Sequence, residues 1–212
     1  ILIGNVGFAP IPAFSFDSPI LIGSLTLNTK KLTYQPDFSI GLNGKPWMIN
    51  HWIRYTIVEN QKFKFYAGMN PSLFFKNEFI DSHMEILHAH RNFTIELAGA
   101  RNISKRVNLI LTYLHIKAFD PGTLSGDFVD LSVPILWNRV LKYFEIHLKP
   151  QVFYFDFEGN MNGIYTSNTI SIAHPFVRNK ISLSAYLQGV QPVKTDFPGN
   201  TFKWNAGFRF DF

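Results

Sequence analysis

The chain has 212 residues, of which 17% are charged, and no cysteine; this length suits one domain with a sizeable core, and the absence of cysteine excludes disulfides and thiolate metal sites. The net charge of +5 comes from scattered Lys and Arg residues, which argues against nucleic acid as a partner because polyanion-binding surfaces cluster their basic residues. No stretch approaches the roughly 18 apolar residues of a transmembrane helix, so a membrane location would require a closed β-barrel.

Apolar and polar side chains alternate along nearly the whole chain, and a period of two is the signature of a β-strand. No segment carries a convincing 3.6-residue stripe, so helices are not expected. In chain order the alternation predicts about twelve strands, near 3–15, 19–28, 32–42, 47–58, 62–76, 84–100, 105–118, 127–137, 140–156, 163–175, 180–189 and 202–212. Three prolines, Pro36, Pro134 and Pro150, fall inside these strands, where each removes a ladder hydrogen bond. Bulges, shorter strands or a covering partner could each accommodate them.

The connectors between these strands fall into two alternating classes. Short turns containing Asn lie at 28–31, 59–61, 101–104, 138–139 and 178–180, and mostly longer connectors lie at 77–83, 120–126, 158–163 and 191–201. The connectors at 17–19 and 43–46 are short and depart from the pattern. Transmembrane barrels have short periplasmic turns and longer extracellular loops. The sequence therefore predicts an all-β fold, a single transmembrane antiparallel up-and-down β-barrel over residues 1–212 with both termini periplasmic.

The final predicted strand places an aromatic or small residue at every second position and ends in Phe212. This run resembles the closing strand of bacterial outer-membrane β-barrel proteins, and the richness in Asn, Lys, Ile and Phe is similar to that of Bacteroidota barrels. The resemblance implies a location in the outer membrane, contact with outer-membrane lipid, and recognition of the last strand by the barrel-assembly machinery. The alternative is a soluble barrel that encloses an apolar ligand, although such barrels usually have eight strands and a densely charged exterior.

If the apolar residues face lipid, the polar residues line a lumen. The expected pore-lining residues are Arg54, Lys64, Glu96, Arg106, Asp130, Glu145, His147, Lys149, Lys203 and Arg209. Basic and acidic residues on opposed walls would create a transverse field; alternatively, these charges pair with one another. The expected membrane-interface aromatics are Trp47, Trp137, Phe144 and Phe212, since aromatic residues form girdles at both interfaces.

No catalytic, metal or cofactor site is expected. His88 and His90 share a strand face, but no third ligand is identifiable from the spacing. His115 is placed like the histidine of outer-membrane lipid hydrolases, yet no serine lies two residues away on that face. The sequence favours a small porin-like channel for small polar solutes. The alternatives are a non-conducting barrel that serves as an accessory subunit among envelope protein partners, and a hydrolase acting on lipid or lipid A.

Overall fold

The computed structural model describes residues 1–6, 15–16, 18–79, 85–140, 143–159, 161–176, 181–197 and 201–212. Within these ranges the regular structure is β-strand, as the period-two alternation predicts. No helix in the described part of the chain has the length and apolarity needed to cross a membrane. The strands are β1 (Leu2–Gly4), β2 (Ile20–Ser24), β3 (Leu27–Asn28), β4 (Leu32–Gly41), β5 (Pro46–Glu59), β6 (Phe63–Phe79), β7 (Glu85–Asn102), β8 (Asn108–Ala118), β9 (Gly126–Ser132), β10 (Ile135–Val140), β11 (Phe144–Phe157), β12 (Met161–Phe176), β13 (Ile181–Thr195) and β14 (Lys203–Asp211).

The strands form one antiparallel sheet that closes on itself. β1 pairs with both β14 and β2, and β9 pairs with both β8 and β11, so the described strands form a continuous ring. β2 and β3 follow one another along β4 and together occupy one strand position of the wall. β9 and β10 do the same along β11, which reduces the fourteen described strands to twelve positions. The fold is therefore a closed twelve-strand antiparallel β-barrel, as the alternation predicted.

Prolines interrupt the strand pairing at two points of the wall, between β2 and β3 and between β9 and β10. Leu25 N donates to Pro36 O at 3.2 Å, but Pro36 has no N–H to return the bond. Val133 N likewise donates to Pro150 O at 3.0 Å without a reciprocal bond, and Pro134 follows directly. The pairing register is the same on both sides of each gap. These prolines therefore remove single hydrogen bonds and introduce no bulge at these points.

Side-chain burial shows which face of the wall is directed inward. On β14, Trp204 and Phe208 are more than half exposed, whereas Asn205 between them is 4% exposed. Registered partners across a sheet share a face, and Asn205 is registered with Gln188, whose neighbour Leu187 is exposed. The same relation holds from strand to strand around the ring. Outward positions are therefore predominantly apolar and inward positions predominantly polar.

The barrel has two unlike ends. One end, the short-turn end, carries the connections after β3, β5, β7, β10 and β12, each of three to five residues. The other carries the connections after β1, β4, β6, β8, β11 and β13, and we call it the long-loop end because those at 5–19, 119–125 and 196–202 are longer; the connections at 42–45, 80–84 and 158–160 are as short as those at the first end. Every second connection lies at the same end because consecutive strands are antiparallel.

Candidate functional site: the barrel interior

The interior wall carries most of the charged residues that alternation assigned to a lumen. The register places on inward-facing strand positions Arg54, Lys64, Glu96, Asp130, Glu145, His147, Lys149, Lys203 and Arg209. Arg106 is instead in the exposed turn before β8, where Ser104 Oγ accepts hydrogen bonds from Arg106 N at 3.2 Å and Val107 N at 3.1 Å. This turn delays the start of β8 to Asn108, so Arg106 is not on the strand wall.

A nearly buried ion pair joins two strands that are not neighbours. Arg54 on β5 donates from Nε to Glu96 Oε2 at 2.5 Å and from Nη2 to Glu96 Oε1 at 3.4 Å, with Glu96 on β7. The side chains are 23% and 6% exposed. Arg54 Nη1 also donates to Gln35 Oε1 at 3.2 Å, and its guanidinium lies 4.4 Å from the centroid of the Trp52 ring. The charge of Arg54 is thus held by a carboxylate, an amide and an aromatic face.

Gly68 on the intervening strand makes this bridge possible. It is registered with Arg54 on one side and with Glu96 on the other. A Cβ at this position would lie 2.8 Å from Glu96 Oε2 and 3.0 Å from Arg54 Cγ. Glycine thus leaves room for the two charged side chains to meet across β6, whereas a larger residue would require one of them to shift.

More exposed charges surround the short-turn end of the interior, and they pair locally. The nitrogen–oxygen distances are 3.4 Å for Lys64–Glu59, 2.8 Å for Arg209–Asp211 and 3.7 Å for His147–Glu145. We call these six residues the charged vestibule. Lys64–Glu59 and Arg209–Asp211 bring together opposite charges on adjacent strands or on one strand, and His147 lies beside Glu145 on the same strand. These contacts favour the alternative in which interior charges pair locally.

Between the vestibule and the long-loop end, neutral and acidic groups form hydrogen bonds within the wall. Asp130, 7% exposed, accepts a hydrogen bond from Gln151 Nε2 at 3.1 Å. Asn70 Nδ2 donates to Asn50 Oδ1 at 3.1 Å on the other side of the barrel. These buried polar groups have partners, as groups removed from bulk water require.

An aromatic cluster occupies the interior towards the long-loop end. It consists of Phe128, Phe153, Phe155, Phe157, Tyr165, Val190 and Phe197. The Phe153 and Tyr165 rings stack with centroids 5.5 Å apart, and Phe197, from the connection after β13, meets Phe155 edge-on at 4.9 Å. Such arrangements are the favourable geometries for aromatic pairs. The Phe197 ring therefore reaches into the barrel and packs against the wall.

Sequence reasoning missed the aromatic cluster although a signal was present. Along β11 the inward positions change from Lys149 and Gln151 to Phe153, Phe155 and Phe157, while the outward positions remain largely apolar. A strand segment that is apolar on both faces indicates burial on both sides. In this barrel one of those sides is the interior.

The expectation for Trp47 as an interface residue is also corrected. Trp47 is 1% exposed and packs against Phe16 and Phe74, with centroid distances of 6.0 and 6.2 Å. The register shifts here, from Ser39↔Met48 to Ile40↔Pro46, so Trp47 is the extra residue of a bulge. Bulges redirect side chains in this way.

The other three aromatics expected at the interface lie on the outward parity or at the chain end. Trp137 is half-buried and registered with Ile146, and Phe144 is partly exposed with its ring 5.3 Å from that of His174. Phe212 is 80% exposed. All three lie near the short-turn end, where one aromatic girdle is expected.

A histidine–aspartate pair lies on the outward face near the long-loop end. Asp127 Oδ1 lies 3.0 Å from His115 Nδ1 and accepts a hydrogen bond from Tyr113 at 2.6 Å. The registered neighbours of His115 are Ile95 and Asp127. Among the described residues no serine or threonine is registered beside His115 on this face.

The other histidine pair noted in the sequence lies inside the barrel. His88 and His90 are on the inward parity of β7, with ring centroids 6.1 Å apart. In the part of the chain that the structure describes, no group of three or more His, Asp or Glu residues has the arrangement of a metal site.

The fold is shared with solved barrel structures, although no family model and no curated protein matches this chain. The structure "KdgM porin in complex with disordered oligogalacturonate" aligns over 100% of this chain and 99% of its own, with a TM-score of 0.61 and 12% identity. The NanC porin aligns over 100% and 98%, with a TM-score of 0.61 and 7% identity. A loop L8 deletion mutant of OmpT, an outer membrane protein of Vibrio cholerae, aligns over 92% and 63%, with a TM-score of 0.55 and 7% identity. At these identities the likeness concerns the fold.

Proposed function

We propose that the protein is an integral outer-membrane barrel that acts as a small porin-like channel for small polar solutes. The observation that carries the proposal is the sorting of side chains by the closed wall, with mostly apolar residues outward and, apart from the aromatic cluster, mostly polar or charged residues inward. A closed barrel satisfies every backbone polar group, and an outward apolar band suits hydrocarbon. The full-length fold match to the KdgM and NanC porins supports the same function.

The orientation that we propose follows the usual asymmetry of such barrels. The short-turn end and both chain termini face the periplasm, and the long-loop end faces outward. Recognition of β14 by the barrel-assembly machinery, and a source among Bacteroidota, are part of the proposal and are supported by the sequence resemblance.

The charge of the interior supports a channel with little preference between cations and anions. Among inward-facing strand residues whose side chains are described, basic and acidic residues occur in equal numbers. The basic residues are Arg54, Lys64, Lys76, Lys149, Lys203 and Arg209, and the acidic residues are Asp37, Glu59, Glu96, Asp130, Glu145 and Asp211. Since ion selectivity arises from an excess of one sign along the path, we expect a cation-to-anion permeability ratio near unity.

The test is single-channel recording of the purified protein in a planar bilayer, together with swelling of liposomes in neutral sugars of increasing size. We expect discrete conductance steps and uptake of the smallest sugars. The control is the same detergent fraction from cells that do not express the protein. A pure, folded barrel that produces neither conductance nor swelling would contradict the channel function.

A second candidate function is favoured by the aromatic cluster. Tightly packed rings and an inserted Phe197 narrow the interior towards the long-loop end. A barrel closed at this level would serve as a non-conducting accessory subunit of an envelope complex. Absence of conductance combined with stoichiometric co-purification of envelope proteins from native membranes would favour this function over the channel.

A further inference from the structure

A groove of about 590 Å³ lies on the outward face of the barrel, across β5, β6 and β7. Its outward-facing lining consists of His51, Pro71, Leu73, Arg91, Phe93 and Phe119. It is near the long-loop end, because β8 ends at Ala118, just before Phe119. The groove opens away from the interior that we propose as the channel.

The backbone ladder under the groove is interrupted at a proline of β6. Pro71 cannot donate to β5, and no registered pair lies between Asn50↔Ser72 and Ile53↔Met69. His51 N instead donates to the side-chain Oδ1 of Asn70 at 2.8 Å. The backbone ladder is thus interrupted here, while the partly buried N–H of His51 keeps a partner.

The floor of the groove is apolar. Pro71 and Phe93 form one registered pair across β6 and β7, and Leu73 lies on the next row beside Arg91. Phe119 extends this row on the far side of β7, where its N donates to Arg91 O at 3.1 Å, and its side chain is 58% exposed. A floor of this kind suits an acyl chain.

Two cations border this floor. Lys117 is registered with Phe93 on the outward face, and Arg91 lies one row towards the long-loop end on β7. Diagonal neighbours on a sheet are about 7–8 Å apart, so one anionic group can approach both side chains. Asp120 binds Arg91 through Nε and Nη2, and the Nη1 N–H groups have no partner among the described residues. Arg91 can therefore hold Asp120 and a second acceptor together.

We propose that this groove binds an anionic membrane lipid, with its phosphate between Arg91 and Lys117 and one acyl chain along the apolar floor. Basic side chains placed beside exposed apolar surface at a membrane interface match the two chemical parts of such a lipid. The site rests on the membrane location proposed above and is independent of whether the barrel conducts.

The experiment is native mass spectrometry of the detergent-solubilised barrel titrated with dimyristoyl phosphatidylglycerol or dimyristoyl phosphatidylcholine, which have identical chains. We expect one saturable site that prefers phosphatidylglycerol. Lys117→Gln should lower this preference about fivefold, as expected for the loss of one basic residue at an anionic surface. Arg91→Gln should lower it by a similar factor. Inorganic phosphate alone should not bind measurably.

The matched control is Arg101→Gln, because Arg101 is on the outward parity of the same strand but at the short-turn end. It should leave the preference unchanged. Phe93→Ala should weaken both lipids equally because it removes the floor and no charge. Equal affinity for the two lipids, or an equal loss in Arg101→Gln and Lys117→Gln, would overturn the lipid site. A protein that remains monodisperse without detergent would instead contradict the proposed membrane location.

Discussion

Removal of Glu96 tests the buried ion pair at the centre of the interior. Glu96→Ala leaves Arg54 inside the barrel without its carboxylate, and breaking a fully buried pair costs about 3–5 kcal/mol. Because the Arg54 side chain is 23% exposed, water can solvate part of the stranded charge, and Gln35 remains as an acceptor. We therefore expect a loss of about 2–3 kcal/mol in the free energy of unfolding.

The charge that is left behind has a second consequence. Glu96→Ala adds one net positive charge to an interior in which basic and acidic residues are balanced, so the permeability should shift towards anions. The double variant Arg54→Met, Glu96→Leu removes both charges. It should recover most of the stability, since apolar replacement of a buried pair is often neutral, and it should restore a permeability ratio near unity.

The assay is urea unfolding in detergent micelles followed by tryptophan fluorescence, with reversal potentials measured on the same preparations. Trp52 stacks on Arg54 and supplies a local signal. Glu145→Ala is the matched control, because Glu145 is inward but more exposed and its partner His147 is 3.7 Å away; we expect a loss below about 1 kcal/mol. Equal losses in Glu96→Ala and Glu145→Ala would refute the importance assigned to the buried pair.

Three further predictions concern the aromatic cluster, the closing seam and the β8–β9 connection. Phe197→Ala should raise single-channel conductance and lower stability by about 3 kcal/mol, the lower part of the range for a buried Phe, since Phe197 lies in a connection; unchanged conductance would mean that its ring does not narrow the path. Gly207→Ala should impair heat-modifiable folding on gels, because a Cβ would overlap a backbone carbonyl of β1, whereas Gly23→Ala, with open space around it, should fold normally. The pKa of Asp120 is lowered to about 2 by its side-chain and backbone hydrogen bonds to Arg91, so the stabilising contact should be complete above about pH 4 and lost as the pH falls through 2. Carbon-detected NMR should show the titration midpoint of the Asp120 carboxyl near this pKa, and Arg91→Gln should return the midpoint towards 3.8. A midpoint unaffected by Arg91→Gln would contradict the pairing of Asp120 with Arg91.

Strand existence, strand number and the inward or outward assignment of most side chains could be predicted from the sequence. These properties are local, because the side chains of an extended strand alternate whatever its neighbours are. The assignment of Lys64, Glu145 and Arg209 to the interior depended only on parity. The wall positions containing Pro134 and Pro150 could not be resolved in this way, because a missing donor can produce a bulge or a simple gap.

The partners of those side chains depended on the tertiary structure. Arg54 and Glu96 are 42 residues apart and meet only because β6 lies between their strands with Gly68 in register. Trp47 turned inward through a register shift between β4 and β5, a property of two strands and not of one. The sequence by itself determined which faces are apolar, since that follows from the period of each strand. The register between strands decided that Arg54 meets Glu96 and where aromatic rings fill the barrel, because those contacts join residues on different strands.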